Sequence, residues 1–228
     1  MWKDDSELFS LMRARLFPAV VGDILDTLGL MHQFLPPAIK PVERSMVVAG
    51  RAMPVLETNC FSRAEPQGKL PLSQQAFGLL FQALDDLAPH EVYVATGAAP
   101  QFALWGGLMT TRAMYLKAAG AVLDGYSRDT TELLELGLPV FSLGGYAQDQ
   151  GPRGKVVDYR VPVEIRGVRV CPGDIVFGDQ DGVLIIPREA EVEAISLALE
   201  KADTESSVRK AIKQGMSTVE AFNTFGVM

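Results

Sequence analysis

The sequence predicts an α/β fold, a single domain over residues 1–228 with mixed sheets and a helical C-terminal arm over 188–228. Three observations carry this. First, residues 104–140, LWGGLMTTRAMYLKAAGAVLDGYSRDTTELLELGLPV, read as a Gly-Gly turn, a helix, a short buried strand AVLDG, a polar turn YSRD, a second helix and a strand. Second, residues 155–187 break into short apolar or alternating runs split by Arg166-Gly167, Pro172-Gly173-Asp174 and Asp181-Gly182, the signature of a hairpin-rich β region. Third, residues 188–213 carry one long helical pattern, after which Ser217 and Glu220 have the capping-box spacing that opens a last helix. No internal repeat and no clear linker divides the chain.

The remaining elements follow in order. Residues 6–16 and 18–28 form two short helices, the second carrying Val20, Ile24, Leu25 and Leu28 at helical spacing with Gly29 as its stop. Asp23 and Asp26 share that helix three residues apart and read as solvated or cap-like. The stretch HQFLPPAIKP is a loop, because its prolines cannot sustain a helix. Residues 46–56 read as a strand with a break at Gly50. Residues 57–69 are polar and form a loop able to reach a site. Apolar Leu72, Ala76, Leu79, Leu80, Ala83, Leu84 and Leu87 place a helix over 71–87, and EVYVATG is a buried strand. Residues 143–154 form a glycine-rich loop.

Composition narrows the function. With 48% hydrophobic residues in 228, the chain can bury a substantial core. A net charge of -7 argues against nucleic acid or an anionic membrane surface as partner. Only two cysteines, Cys60 and Cys171, are present, and they form no CxxC pair, which fits free thiols in a reducing cytoplasm. The acidic start MWKDDSELF is not a signal peptide. No apolar run approaches the roughly 20 residues that span a bilayer.

Two features of the central stretch can carry chemistry. The amides of Gly106, Gly107, Leu108 and Met109 open a helix and suit an anionic ligand. Arg128-Asp129 follows a strand, at the end of a sheet where ligands collect. By itself Asp129-x-x-Glu132 is an N-cap pattern for the helix TELLEL. As a site, a lone carboxylate with waters suits a hard cation, and a neighbouring guanidinium suits a carboxylate or an enolate oxygen. Together they fit a small 2-oxo acid. Other chemistries find less support. His32 and His90 lie in no Cys/His cluster, so a zinc site is not expected. Lys117 reads as a solvent-facing charge rather than a Schiff-base lysine. Gly144-Gly145 and residues 151–154 match no nucleotide-binding fingerprint. Asp174, Asp179 and Asp181 read as turn residues.

These residues resemble the family of the 4-hydroxy-4-methyl-2-oxoglutarate aldolases and the regulators of ribonuclease E activity A. The resemblance rests on ALWGGLM, on DGYSRD followed by GLPVF, and on the interval from Gly107 through twenty residues to Arg128-Asp129 and then Glu132. GDILDTLG, GRAMPV and PGDIVFGDQDGVLIIP extend it over nearly the whole chain. It implies a swivelling β/β/α-type domain assembled as trimers or hexamers. It further implies a divalent metal, Mg²⁺ or Mn²⁺, on Asp129; substrate contact from Arg128; oxo-acid carboxylate binding by the amides of residues 106–109; and Glu132 behind them. The implied reaction is a retro-aldol cleavage to pyruvate, or oxaloacetate decarboxylation through the same enolate. The alternative it carries is a non-catalytic, protein-binding regulator of the ribonuclease E inhibitor type, whose members often lack the aspartate after arginine. Several aldolases hold an acidic residue where this chain has Gly107, a departure that bears on aldol cleavage more than on decarboxylation. A third reading is a lyase for an unrelated oxo acid, with specificity set by residues 57–69 and by the C-terminal arm of a neighbouring subunit.

Overall fold

The computed structural model of the protein describes residues 2–60 and 74–227. In chain order the helices among them are α1 (Asp5–Arg15), α2 (Pro18–Thr27), α3 (Leu80–Asp85), α4 (Gly107–Tyr115), α5 (Thr130–Leu136), α6 (Glu191–Lys213) and α7 (Thr218–Phe225). The strands are β1 (Lys40–Pro41), β2 (Val48–Asn59), β3 (Glu91–Thr96), β4 (Ala103–Trp105), β5 (Gly120–Leu123), β6 (Tyr126–Ser127), β7 (Val140–Ser142), β8 (Gly154–Tyr159), β9 (Val163–Ile165), β10 (Val168–Val170), β11 (Ile175–Asp179) and β12 (Gly182–Ile186).

Eight strands make one mixed sheet in the order β1-β7-β5-β3-β2-β11-β12, with β8 also on β2. β2, β3, β5 and β7 are mutually parallel, so their carboxyl ends lie along one edge. β2 is long enough to serve two partners on one side. Its first half pairs antiparallel with β11 and its second half with β8. Both faces of the sheet are covered, as parallel strands require. On β3, Tyr93 and Ala95 enter one core with Trp105, Leu123 and Leu133, while Val92 and Val94 enter another with Phe141 and Ile165. A third core joins α1, α2 and α6 to the antiparallel strands through Leu8, Phe9, Val20, Leu184 and Ile195. Arg51 ties these layers together: it donates to Asp5 on α1 and to Glu191 on α6, and its guanidinium lies 5.5 Å from the Phe9 ring centroid.

The hairpin-rich region and the helical arm stand as the sequence indicates. Arg166 and Gly167 both take positive φ in the two-residue turn between β9 and β10. At the start of α7 the Ser217 hydroxyl accepts from the Glu220 amide at 3.2 Å. Asp174, buried, accepts from the Cys171 and Arg188 amides, and Asp179 accepts from the Asp181 amide, so the three aspartates form turns. Asp23 pairs with Lys201.

Several expectations change. Lys40–Pro41 of the expected loop form β1 against β7, and Tyr126–Ser127 of the expected polar turn form β6 against β4. Gly50 does not break its strand: β2 runs through it, and glycine is needed because a Cβ there would run into the His90 carbonyl. Residues 57–59, expected in a loop, continue β2, whereas 61–69 of that loop lie outside the described residues. The helix expected over 71–87 is interrupted: 71–73 are outside the described residues, Gln74 is helical, Phe77 and Gly78 both adopt left-handed φ with Gly78 bridged to Val156, and helix resumes as α3. Backbone geometry overrides apolar spacing there.

Candidate functional site

β4 and β6 form a two-stranded parallel sheet of their own, with Ala103 opposite Tyr126 and Trp105 opposite Ser127. That pairing, not legible in the sequence, brings the Gly-Gly segment beside Arg128, whose amide donates to the Trp105 carbonyl at 2.9 Å. Gly106 is extended (φ -158), so turn geometry does not demand its glycine. Space does. A Cβ on Gly106 would lie 2.6 Å from Asp129 Oδ2, and a Cβ on Gly107 would fall inside the carboxylate of Glu132. The two glycines are the floor on which Asp129 and Glu132 rest.

Asp129 sits in the left-handed region (φ 58), which Asp tolerates better than most residues. Its side chain does not cap α5, as the local pattern suggests. Instead Oδ2 accepts from the Gly107 amide at 3.0 Å, across the gap to α4. Of the first amides of α4, Gly107 is thereby engaged. Those of Leu108 and Met109 have no acceptor among the described residues and remain at the positive end of the helix dipole. Trp105 is held by its indole N–H, which donates to Thr110 Oγ1 at 2.6 Å.

A cavity of about 270 Å³ opens here, bordered by Gly106, Leu108, Met109, Arg128 and Asp129. Its opposite walls are apolar, made by Phe77, Leu80, Phe81, Leu104 and Trp105. Two further polar residues complete it: Asp149 and Gln150, from the loop after β7. Asp149 Oδ1 accepts from Arg128 Nη1 at 2.7 Å, while Arg128 Nε lies 3.7 Å from Asp129 Oδ2. Arg128 is therefore held between two carboxylates, each about as exposed as it is. Of the sequence-derived residues, Arg128, Asp129, Gly106, Leu108 and Met109 border the cavity. Gly107 lies behind, and Glu132 is an exposed side chain over it. Sequence reasoning missed Asp149 and Gln150; the one available signal was their place in a loop beyond the carboxyl end of a parallel strand. A larger, more open hollow of about 500 Å³ is lined by Tyr126, Tyr146, Gln148 and Arg153 and holds none of the expected residues.

Beneath the cavity is a buried polar pair. Gln150 Nε2 donates to Glu57 Oε2 at 2.7 Å, and Glu57 Oε1 has no partner among the described residues. Burial pushes the Glu57 carboxyl up to about 8. The Tyr93 hydroxyl, also buried with no partner among the described residues, is driven well above its ordinary value by burial and then by Glu57.

The donor set limits what metal could bind. Among the described residues no group of three or more His, Cys, Asp or Glu side chains is arranged to hold an ion. His90 sits by Phe9, away from the cavity. One carboxylate with an open oxygen, on the rim of a cavity, fits a hard dication that keeps several waters, and not a zinc cage. Asp129, Asp149 and Glu132 against Arg128 leave the locality negative, which favours a cation.

The model of the RraA-like family, described as Aldolase/RraA, matches residues 19–185. The chain belongs to this family. Among RraA-like relatives it is 30% identical over 203 residues to Protein DlpA of Legionella pneumophila, covering 89% of this chain but 31% of that one. The chain thus spans about a third of that relative's length. It is 29% identical over 141 residues to the 4-hydroxy-4-methyl-2-oxoglutarate aldolase of Thermus thermophilus, covering 60% of this chain and 85% of the other. The crystal structure of Streptomyces coelicolor RraAS2, described as an unusual member of the RNase ES inhibitor RraA protein family, superposes with TM-score 0.77 at 23% identity, over 92% of this chain and all of that one. That likeness establishes the fold. The family contains both aldolases and inhibitors, so the chemistry of this RraA-like chain must be argued from its site. No helix among the described residues is long and apolar enough to cross a membrane.

Proposed function

We propose that this RraA-like chain is a divalent-metal-dependent carbon–carbon lyase acting on a pyruvyl-containing oxo acid. The reaction is retro-aldol cleavage of the 4-hydroxy-4-methyl-2-oxoglutarate type, oxaloacetate decarboxylation, or both. One observation carries the reading: Arg128, Asp129 and the unengaged amides of Leu108 and Met109 border one cavity of small-molecule size. In this reading those amides take the substrate's terminal carboxylate at the N-terminus of α4. Arg128 donates to the oxygen on C2, with Asp149 fixing its planar fork. The apolar wall of Phe81, Leu104 and Trp105 excludes water and receives the distal part of the substrate.

Asp129 would hold the metal, Mg²⁺ or Mn²⁺, which supplies positive charge beside the developing enolate oxygen. In aldol cleavage the C3–C4 bond breaks, its electron pair passes to the C2 oxygen, and the C4 hydroxyl loses its proton. Glu132 supports that step, because its carboxylate lies over Gly107 where several aldolases of the family carry an acidic side chain. Decarboxylation breaks the C3–C4 bond with loss of CO₂, leaves the same enolate and needs no such base; in either reaction C3 then takes a proton from solvent to give pyruvate. Exposed Phe81 and Leu108 on the cavity rim fit assembly into a trimer or hexamer, and the free cysteines fit the cytoplasm.

The test is pyruvate release from oxaloacetate and from 4-hydroxy-4-methyl-2-oxoglutarate with Mg²⁺, with Mn²⁺ and with EDTA. Metal-dependent pyruvate from either supports the reading. Pyruvate from neither overturns it and favours the protein-binding alternative.

A further inference from the structure

The strongest feature that the proposed chemistry does not use is Glu57. It lies at the carboxyl end of β2, where a register shift between Leu56 and Glu57 interrupts pairing with β8. It is 1% exposed, and its hydrogen-bond partner Gln150 is 4% exposed. No lysine, arginine or histidine among the described residues bonds to it. Its charge acts on Tyr93 of β3, whose ring packs tilted against Trp105 of the cavity wall with centroids 5.0 Å apart. Leaving a buried carboxyl oxygen and a buried phenol without partners costs about 1–3 kcal/mol each. An apolar pair would fill the same space without that cost. The polar pair therefore calls for an explanation beyond packing.

The contacts supply one. Gln150 adjoins Asp149, and Asp149 grips Arg128 at 2.7 Å. Backbone bonds fix the base of this loop: the Arg153 and Gly154 amides donate to the Gln150 carbonyl at 2.7 and 2.9 Å. Among the described residues, the Glu57 carboxyl is the acceptor that fixes the Gln150 side chain from the central sheet.

We propose that Glu57 is a positioning residue for the site: acting through Gln150, it sets the Asp149 carboxylate against Arg128 and so aims the guanidinium into the cavity. The proposal rests on the reading of the site given above. At neutral pH the carboxyl is protonated and accepts from Gln150 without adding charge below an anion-binding cavity. Its ionisation above about pH 8 adds that charge and opposes an anionic ligand.

The experiment uses the full chain with Mg²⁺ and oxalate, a planar dianion shaped like the pyruvate enolate. Oxalate affinity, pyruvate release and the ¹⁵N-edited Nε–H signal of Arg128 are measured from pH 6 to 9 for wild type, Glu57→Gln and Glu57→Leu. Glu57→Leu is expected to shift the Arg128 signal and to lower kcat 10- to 100-fold with less change in KM, the cost of a misaimed group. Glu57→Gln, which still accepts from Gln150, restores the Arg128 signal and loses the alkaline decline. An Arg128 signal and pH profile unchanged in Glu57→Leu overturn the proposal. A wild type that neither binds oxalate nor releases pyruvate overturns the lyase reading instead, and the Arg128 signal then decides the positioning role alone.

Discussion

Replacing Glu57 with glutamine should stabilise the protein, and by an amount that depends on pH. The carboxyl is wholly buried, and its folded pKa of about 8 stands above the ordinary 4.5. Between those values the unfolded chain has released a proton that the folded chain keeps. The unfolded state therefore binds fewer protons, and stability falls as pH rises from about 4.5 to about 8. At about 1.4 kcal/mol per pH unit, the loss reaches roughly 3 kcal/mol at pH 7 and roughly 5 kcal/mol above pH 8. That is a large part of the roughly 5–15 kcal/mol typical of a domain. Glutamine keeps the oxygen that accepts from Gln150 and cannot ionise. Urea unfolding at pH 5, 7 and 8.5 should find the two proteins within about 1 kcal/mol at pH 5 and the variant ahead by about 3–5 kcal/mol at pH 8.5. Every other titrating group is common to both proteins and cancels in the difference. A difference that is the same at pH 5 and pH 8.5 would falsify the assignment of Glu57 as a neutral buried acid.

Asp129→Ala should abolish metal-dependent pyruvate release while circular dichroism and oligomer size stay unchanged; near wild-type turnover would show that the metal sits elsewhere. Arg51→Ala strands Glu191 in a buried position and should cost about 3–5 kcal/mol by urea unfolding; a loss below about 1 kcal/mol would mean that the network is solvated. The bond to Arg51 holds the Asp5 carboxyl below its ordinary range, so its contribution is present above the unfolded pKa and is lost as pH falls through the lower folded one. Asp5→Asn should accordingly flatten the acid side of the stability curve, and an unaltered acid limb would discard that contribution.

The parts of this chain that the sequence shows best are those set by local chemistry. Gly29 ends α2, Arg166-Gly167 turns β9 into β10, and Ser217 caps α7, each through an interaction within a few residues. The family pattern likewise marks Arg128, Asp129 and the start of α4, because those residues stand at fixed intervals. What stays hidden depends on distant segments meeting. Nothing near Asp149 announces that it will grip Arg128, twenty-one residues earlier in the chain. Nothing in the polar stretch after Leu56 marks Glu57 as buried, since a charged residue in that setting ordinarily faces water. The β4·β6 pairing, only two or three residues long on each side, is too short to leave a periodic trace. Gly50 misleads for the same reason: the carbonyl of His90 that requires it is forty residues away.

Gly107 gains its meaning from such a distant contact. On sequence alone, a glycine there reads as the loss of an acid. In the fold, the space above it is taken by the carboxylate of Glu132, reaching over from the first turn of α5. Glycine at 107 and glutamate at 132 are therefore one arrangement, and an acidic side chain at 107 would have to displace the one already present. Glu132 is exposed and can swing outward, so Gly107→Asp should cost less than about 1 kcal/mol in stability. Its effect should fall on catalysis. With two carboxylates over one helix start, aldol cleavage should drop in the single variant and recover in Gly107→Asp/Glu132→Ala, where one carboxylate is again present. Oxaloacetate decarboxylation, which needs no base for a hydroxyl proton, should change little in either. A double variant no more active in aldol cleavage than Glu132→Ala alone would show that the carboxylate at 132 does not stand in for one at 107.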